Sequence, residues 1–78
     1  MRLLLLGRPG CHLCEDFAED LQIHLAGRAF ELEHADVDST GEWRMRYGRR
    51  IPVLLDAQGR VLSEGQFDAE RFERSLAA

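Results

Sequence analysis

The sequence contains no lysine and no asparagine, and all ten of its basic residues are arginine. Fourteen acidic residues outnumber them, which leaves a net charge of −4 at pH 7. Affinity for nucleic acid rests largely on neutralising phosphates, usually with a basic stripe on one face. The chain has no such stripe with aromatic residues interleaved, so we predict no nucleic-acid partner.

Long hydrophobic runs are also absent. The longest is Leu3–Leu6, and Gly7 ends it. Four residues are too few for the apolar core of a signal peptide, which needs about 7 to 15, or for a membrane span of about 20. We therefore expect no membrane partner and a cytoplasmic location. The run is apolar on both faces, as in a buried central strand.

Cysteine is scarce: the chain has only Cys11 and Cys14. In a reducing compartment, a pair at this spacing is more often catalytic or metal-binding than a structural crosslink. Structural zinc requires four ligands, and His12, His24 and His34 are not spaced as a ligand pair. We predict no metal site within one chain.

The length of 78 residues predicts one domain, residues 1–78, with a modest core. We expect a monomer.

The apolar spacing and turn residues predict seven elements. In chain order, they are a strand over Arg2–Leu6, a helix from Cys11 towards Gly27, a strand over Ala29–His34, a short helix opened by a Ser39–Glu42 capping box and ended by Gly48, strands over Ile51–Leu55 and Arg60–Ser63 joined by a turn at Asp56–Gly59, and a helix capped by Asp68.

This β-α-β-α-β-β-α order indicates an α/β fold. Strands that alternate with helices favour parallel pairing in the first half, and the tight turn favours a hairpin in the second half. The expected architecture is a four-stranded mixed sheet flanked by helices.

The Cys11-His12-Leu13-Cys14 segment carries the chemistry. Unpaired backbone N–H groups and the positive end of the helix dipole lie near the first sulfur, and both favour the thiolate that attacks disulfides. Arg8 adds positive charge, whereas Glu15 and Asp16 oppose it. The second cysteine lies one turn further, where it can resolve a mixed disulfide. We expect the helix end and Arg8, which favour the Cys11 thiolate, to outweigh the two carboxylates that disfavour it.

Other interpretations of the pair remain open at this point. The cysteines are also compatible with a redox-inactive binding module, or with a metal or iron–sulfur centre that Cys11 would help to bridge across a dimer. His12 would favour the thiolate if protonated and would do little if it is only solvated. We expect His24 to be a solvated helix residue and His34 to lie at the boundary of the packed face.

The strand–CxxC–helix unit is followed about 40 residues later by the apolar strand Ile51-Pro52-Val53-Leu54. Together these features resemble the glutaredoxin and thioredoxin superfamily, and especially the small bacterial glutaredoxin-like proteins. The resemblance covers essentially the whole chain. It implies a minimal thioredoxin fold and a thiol–disulfide oxidoreductase, with Cys11 as the nucleophile and Cys14 as the resolving thiol.

The resemblance also implies substrate-binding residues. Pro52 would be cis and would pack against the cysteines, with Ile51 presenting its backbone to an extended substrate. Arg8 would hold a glutathione carboxylate, and Gly65 with Asp68 would hold the γ-glutamyl end. The same interpretation gives Arg49 or Arg50 a further carboxylate contact and places His12 and Leu13 in the substrate-binding surface.

The dipeptide His12-Leu13 differs from the Pro-Tyr that is usual in glutaredoxins and from the Gly-Pro that is usual in thioredoxins. Glutathione and protein disulfides therefore both stay as expected partners, with glutathione or a reductase as the electron donor. The exchange needs no metal or organic cofactor, and glutathione would act as a co-substrate.

Overall fold

The computed structural model describes residues 1–78. It contains four strands, three α-helices and one 3-10 turn. In chain order these are β1 (Arg2–Gly7), α1 (His12–His24), β2 (Glu31–Asp36), the 3-10 turn (Val37–Ser39), α2 (Gly41–Tyr47), β3 (Val53–Asp56), β4 (Val61–Glu64) and α3 (Ala69–Ala77). None of the helices is both long enough and apolar enough to span a bilayer.

The four strands form one mixed sheet in the order β2-β1-β3-β4. β1 pairs in parallel with β2, whereas β3 is antiparallel to both β1 and β4. Crossover through α1 is what allows β1 and β2 to run in parallel. The predicted minimal thioredoxin fold, with a mixed sheet flanked by helices, is confirmed.

β1 is buried on both faces because each face of the sheet has its own core. Leu3 and Leu5 pack under α1 and α3, together with Phe17 and Phe72. Leu6 packs on the opposite face, in the cluster that includes Tyr47 of α2. The four leucines of the longest apolar run therefore divide between two cores, as expected for a central strand.

The hairpin between β3 and β4 follows the predicted turn chemistry. Gly59 has φ +82° and donates its N–H to the Asp56 carbonyl oxygen at 3.0 Å. The Asp56 carboxylate accepts the backbone N–H groups of Gln58 and Arg60, each at 2.9 Å. Burial alone would raise the pKa of this carboxyl, but the hydrogen bonds from Arg60 and Gln58 outweigh it and lower the pKa.

Three predicted boundaries were wrong. The third strand begins at Val53 rather than at Ile51. The second strand runs over Glu31–Asp36 rather than Ala29–His34, and His34 is exposed rather than at the packing boundary. Thr40, not Ser39, caps α2: the Thr40 hydroxyl accepts the Trp43 N–H at 3.0 Å. The Ser39 hydroxyl instead donates to the Asp36 carbonyl oxygen, because Ser39 closes the 3-10 turn.

The prediction that His24 is a solvated helix residue was also wrong. Its Nε2 lies 2.6 Å from a Glu73 carboxylate oxygen on α3, and its ring packs edge-on against Phe72. Arg28 donates to the same carboxylate oxygen at 2.7 Å. The hydrogen bonds from Arg28 and His24 lower the pKa of Glu73. His24 therefore helps to join α1 to α3.

Candidate redox site

A tight turn carries the chain from β1 to the first cysteine. The Cys11 N–H donates to the Arg8 carbonyl oxygen at 3.2 Å, and Gly10 has φ +76°. Proline at the second position and a left-handed glycine at the third are what a type II turn requires. The local sequence of residues 8–11 is therefore sufficient to form the turn that places Cys11 at the start of α1.

Cys11 and Cys14 form a disulfide, with Cα atoms 5.2 Å apart. Cys11 is the N-cap of α1, and its sulfur accepts the Cys14 backbone N–H at 3.1 Å. A sulfur in this position lies at the positive end of the helix dipole. The predicted spatial pairing of the two cysteines is present, with a backbone donor already directed at the first sulfur.

The two cysteines differ in access to solvent. Cys11 is partly exposed, whereas Cys14 is buried, with 9% of its surface accessible. Gly7, the last residue of β1, lies directly behind Cys14. A Cβ atom at position 7 would stand 3.0 Å from the Cys14 sulfur. The sequence marked Gly7 only as the end of an apolar run, and nothing local indicated this contact.

Arg8 is held by a distant part of the chain. Its guanidinium makes two bonds to the Asp38 carboxylate, at 2.8 and 3.0 Å, and donates to the Gly48 carbonyl oxygen at 2.8 Å. The hydrogen bond raises the pKa of Arg8 and holds the pKa of Asp38 below its ordinary value, with burial opposing both effects. Arg8 thus anchors the turn before Cys11 to the end of α2.

Pro52, Ile51 and Gly65 lie together beside the end of β1. The Ile51–Pro52 peptide bond is cis, and Pro52 immediately precedes Val53, which pairs with Leu6. Gly65, with φ +78°, donates its N–H to the Pro52 carbonyl oxygen at 2.8 Å. The structure therefore brings these three predicted substrate-binding residues together from the two ends of the β3–β4 hairpin, next to the end of β1.

The other predicted binding residues are more dispersed. His12 and Leu13 are exposed on the first turn of α1, and His12 lies 3.5 Å from the Glu15 carboxylate. The Asp68 carboxylate accepts the Arg71 N–H and caps α3, which also confirms the predicted cap. Arg50 pairs with Glu64 at 2.7 Å. No ion pair engages the exposed Arg49.

A cleft of about 570 Å³ opens between α1 and the strands β1 and β2. It lies on the β2 side of β1, whereas Ile51 and Pro52 lie on the β3 side. Cys11, Cys14 and Arg8 are the only predicted site residues in its wall. Sequence reasoning missed this cleft because its remaining lining comes from three separate elements. Nowhere in the chain do three or more metal-ligating side chains come together, so a metal centre would need ligands from a second chain.

Comparison with protein families gives one match that spans nearly the whole chain. The family described as Glutaredoxin-like domain (DUF836) matches residues 2–77. The chain is also 36% identical to the "Uncharacterized protein Rv0508" of Mycobacterium tuberculosis, over 94% of this chain and 79% of that relative.

Solved structures of similar sequence share the fold. The structural genomics protein XcR50 from X. campestris is 34% identical, covers 97% of both chains and has a TM-score of 0.70. The protein Ne2328 from Nitrosomonas europaea is 30% identical, covers 94% of this chain and 87% of its own, and has a TM-score of 0.84. These likenesses, the family match and the paired cysteines support a thiol-redox role.

Proposed function

Because the chain belongs to the Glutaredoxin-like domain (DUF836) family, we propose that it is a thiol–disulfide oxidoreductase with Cys11 as the nucleophile and Cys14 as the resolving thiol. Its substrates are protein disulfides or glutathione disulfide. A thiol reductant, either glutathione or a reductase, returns the oxidised pair to the dithiol.

The observation that carries this proposal is the asymmetry of the two sulfurs. Cys11 is partly exposed and its sulfur accepts the Cys14 N–H at 3.1 Å, whereas Cys14 is buried against Gly7. A hydrogen bond to a charged group favours its charged form, and the helix N-terminus acts in the same direction. In the reduced protein both effects favour a thiolate at Cys11.

The exchange balances in two steps. The Cys11 thiolate attacks one sulfur of a substrate disulfide, forms a mixed disulfide and expels a substrate thiolate. The Cys14 thiol then loses its proton, attacks the Cys11 sulfur and expels the second substrate thiolate. Two electrons pass to the substrate, which becomes a dithiol, and the Cys11–Cys14 disulfide forms.

Residues around the two cysteines would bind the substrate. We assign the substrate groove to Ile51 and Pro52, beside Gly65, with the exposed Leu13 and His12 on its other side. A glutathione carboxylate at Arg8 would share a guanidinium that already binds Asp38 and the Gly48 carbonyl. Arg49, two residues after the end of α2, forms no ion pair, and we assign that carboxylate to it instead.

The first test is a redox titration of the purified protein in thiol buffers, followed by alkylation and mass measurement. We expect a reversible two-electron transition between about −200 and −270 mV, the range of glutaredoxins and thioredoxin. Cys11→Ser should abolish it. A pair that stays fully oxidised or fully reduced across this window would contradict the oxidoreductase and favour a redox-inactive binding module.

The assignment of the two roles has its own test. Cys14→Ser should accumulate a mixed disulfide with glutathione or a peptide at Cys11, because nothing resolves it. The matched variant Cys11→Ser should accumulate almost none, since Cys14 is buried. Equal trapping by the two variants would refute Cys11 as the nucleophile.

A further inference from the structure

The cleft beside the disulfide has an apolar floor and an acidic rim. Leu5, Ala18 and Ala35 are buried or half-buried and form the floor, and both cysteines also line the cleft. Glu15 and Glu19, one turn apart on α1, form one side of the rim. Asp36, at the end of β2, lies across from them.

The charges around this cleft are mostly unbalanced. Glu19 has no ion pair, and Glu15 faces only the exposed His12 at 3.5 Å. The Asp36 carboxylate accepts one backbone N–H, from Asp38. The single arginine of the lining, Arg8, is engaged by Asp38, and His34 is the remaining basic group. The cleft therefore presents a net negative rim next to the reactive sulfurs.

We propose that this cleft binds the side chain of an arginine or lysine that neighbours the reacting cysteine of a protein disulfide substrate. The inference rests on the proposed exchange reaction and names the class of substrate that it serves. Glu15 and Glu19 are the residues that determine this specificity.

The shape of the cleft supports a long basic side chain in particular. Arginine and lysine place their aliphatic stems along apolar surface and keep the cation in a polar environment. The floor suits the stem, and the carboxylates of the rim suit the cation. Because Cys11 and Cys14 line the cleft, a side chain held there would bring its neighbouring cysteine close to the Cys11 sulfur. An anionic substrate such as glutathione disulfide gains nothing from this rim.

The test uses two symmetric peptide disulfides that differ only in charge. One carries arginine on each side of its cysteine, and the other carries citrulline, which has nearly the same shape and no charge. The rate constant for oxidation of the reduced protein by each peptide is measured, and each is divided by the rate of the same peptide with dithiothreitol. This division removes differences in the intrinsic reactivity of the peptides.

Two double variants separate the cleft from the general charge of α1. Glu15→Gln with Glu19→Gln removes two carboxylates from the rim. Asp16→Asn with Asp20→Asn removes two from the same helix, at positions outside the cleft lining. We expect the unaltered protein to prefer the arginine peptide about tenfold, the rim variant about twofold, and the control variant nearly tenfold. The preference should shrink in high salt.

Three results would count against the inference. Equal normalised rates for the two peptides would overturn it and leave the oxidoreductase standing. An equal loss of preference in the two double variants would also overturn it, because the charge of α1 as a whole would then be responsible. Failure of the unaltered protein to react with either peptide would overturn the proposed function as well.

Discussion

The two sides of the disulfide are built and charged differently. On the cleft side, Gly7 packs directly on the Cys14 sulfur and carboxylates surround the opening. On the other side, which we call the arginine side, the turn before Cys11 is tied to α2 by directed bonds from Arg8. The arginine side consists of Arg8, which also lines the cleft, and of four arginines in or just after α2: Arg44, Arg46, Arg49 and Arg50.

This difference assigns separate tasks to the two sides. Close packing fixes the buried sulfur and does not depend on ionisation. The ion pair fixes the turn that carries the exposed sulfur, and it depends on the charge of Asp38. A basic protein segment suits the cleft side, whereas a carboxylate-bearing molecule suits the arginine side. The four predictions below follow from this comparison.

The largest effect is expected at Gly48, on the arginine side. A Cβ atom there would overlap the Arg44 carbonyl oxygen of α2 and crowd the Arg8 guanidinium. Because the backbone of a helix yields less than a side chain does, Gly48→Ala should lower the free energy of unfolding by about 2 to 3 kcal/mol, near the top of the usual range for overpacking. Urea denaturation of the variant and the original protein would measure this difference in the free energy of unfolding.

Gly41→Ala is the matched control for this prediction. A Cβ atom at Gly41, the first residue of α2, meets nothing within 4 Å. Alanine is favoured over glycine in a helix by up to about 1 kcal/mol, so this variant should be as stable as the original or more so. Similar stability of the two variants would show that the end of α2 is not tightly packed.

The second effect is expected at Gly7, on the cleft side. The atom that a Cβ would meet belongs to the Cys14 side chain, which can shift by a few tenths of an ångström. Gly7→Ala should therefore cost less than the Gly48 variant, about 1 to 2 kcal/mol in the same urea experiment. A larger loss at Gly7 than at Gly48 would reverse the proposed order of rigidity.

The third prediction concerns pH and distinguishes the ion pair of the arginine side from the packing of the cleft side. The pKa of Asp38 is lower in the folded protein than its ordinary value near 4. Its ionised form therefore stabilises the fold above that value, and this contribution is lost as the pH falls through the folded pKa. Asp38→Asn should be less stable than the original at pH 6, and the difference should shrink as the pH falls below the ordinary pKa of an aspartate.

Gly7→Ala supplies the contrast, because packing does not titrate. Its difference in stability from the original protein should stay nearly constant over the same pH range. Glu73 and Asp56 also have lowered pKa values, so both proteins lose stability in acid and only the differences are informative. A difference for Asp38→Asn that does not shrink in acid would argue against the ion pair as its cause.

The smallest effect is expected at Arg49. Glutathione disulfide carries net negative charge, and an exposed cation near its path raises the encounter rate modestly. Arg49→Gln should slow reduction of glutathione disulfide about twofold to threefold and leave the arginine peptide unaffected. Arg74→Gln, an exposed site on α3, removes the same charge elsewhere. Equal slowing by both variants would indicate net charge rather than a local contact.

The sequence predicted those parts of the molecule that depend on near neighbours. The cysteine pair at a helix start, the turn at Asp56–Gly59 and the Asp68 cap each rest on residues within four positions of one another. Each of these motifs carries its own hydrogen-bonding pattern, so their placement was right. The order of strands and helices followed from the same local signals.

Features that depend on distant residues were not predictable in this way. Arg8 meets Asp38 thirty residues away, and Gly7 meets Cys14 only because α1 folds back on β1. Ser39 and Thr40 are adjacent hydroxyl residues, and the 3-10 turn decides which of them caps α2. His24 was misjudged because its partner, Glu73, lies on another helix.

The position of β2 at the edge of the sheet has a consequence for association. An edge strand leaves backbone N–H and C=O groups free to pair with another chain. Three of the six residues of this strand are acidic: Glu31, Glu33 and Asp36. A second copy added in parallel register would set each carboxylate beside its own counterpart, which is repulsive. Repulsion between these carboxylates thus disfavours fibril-like association through this strand.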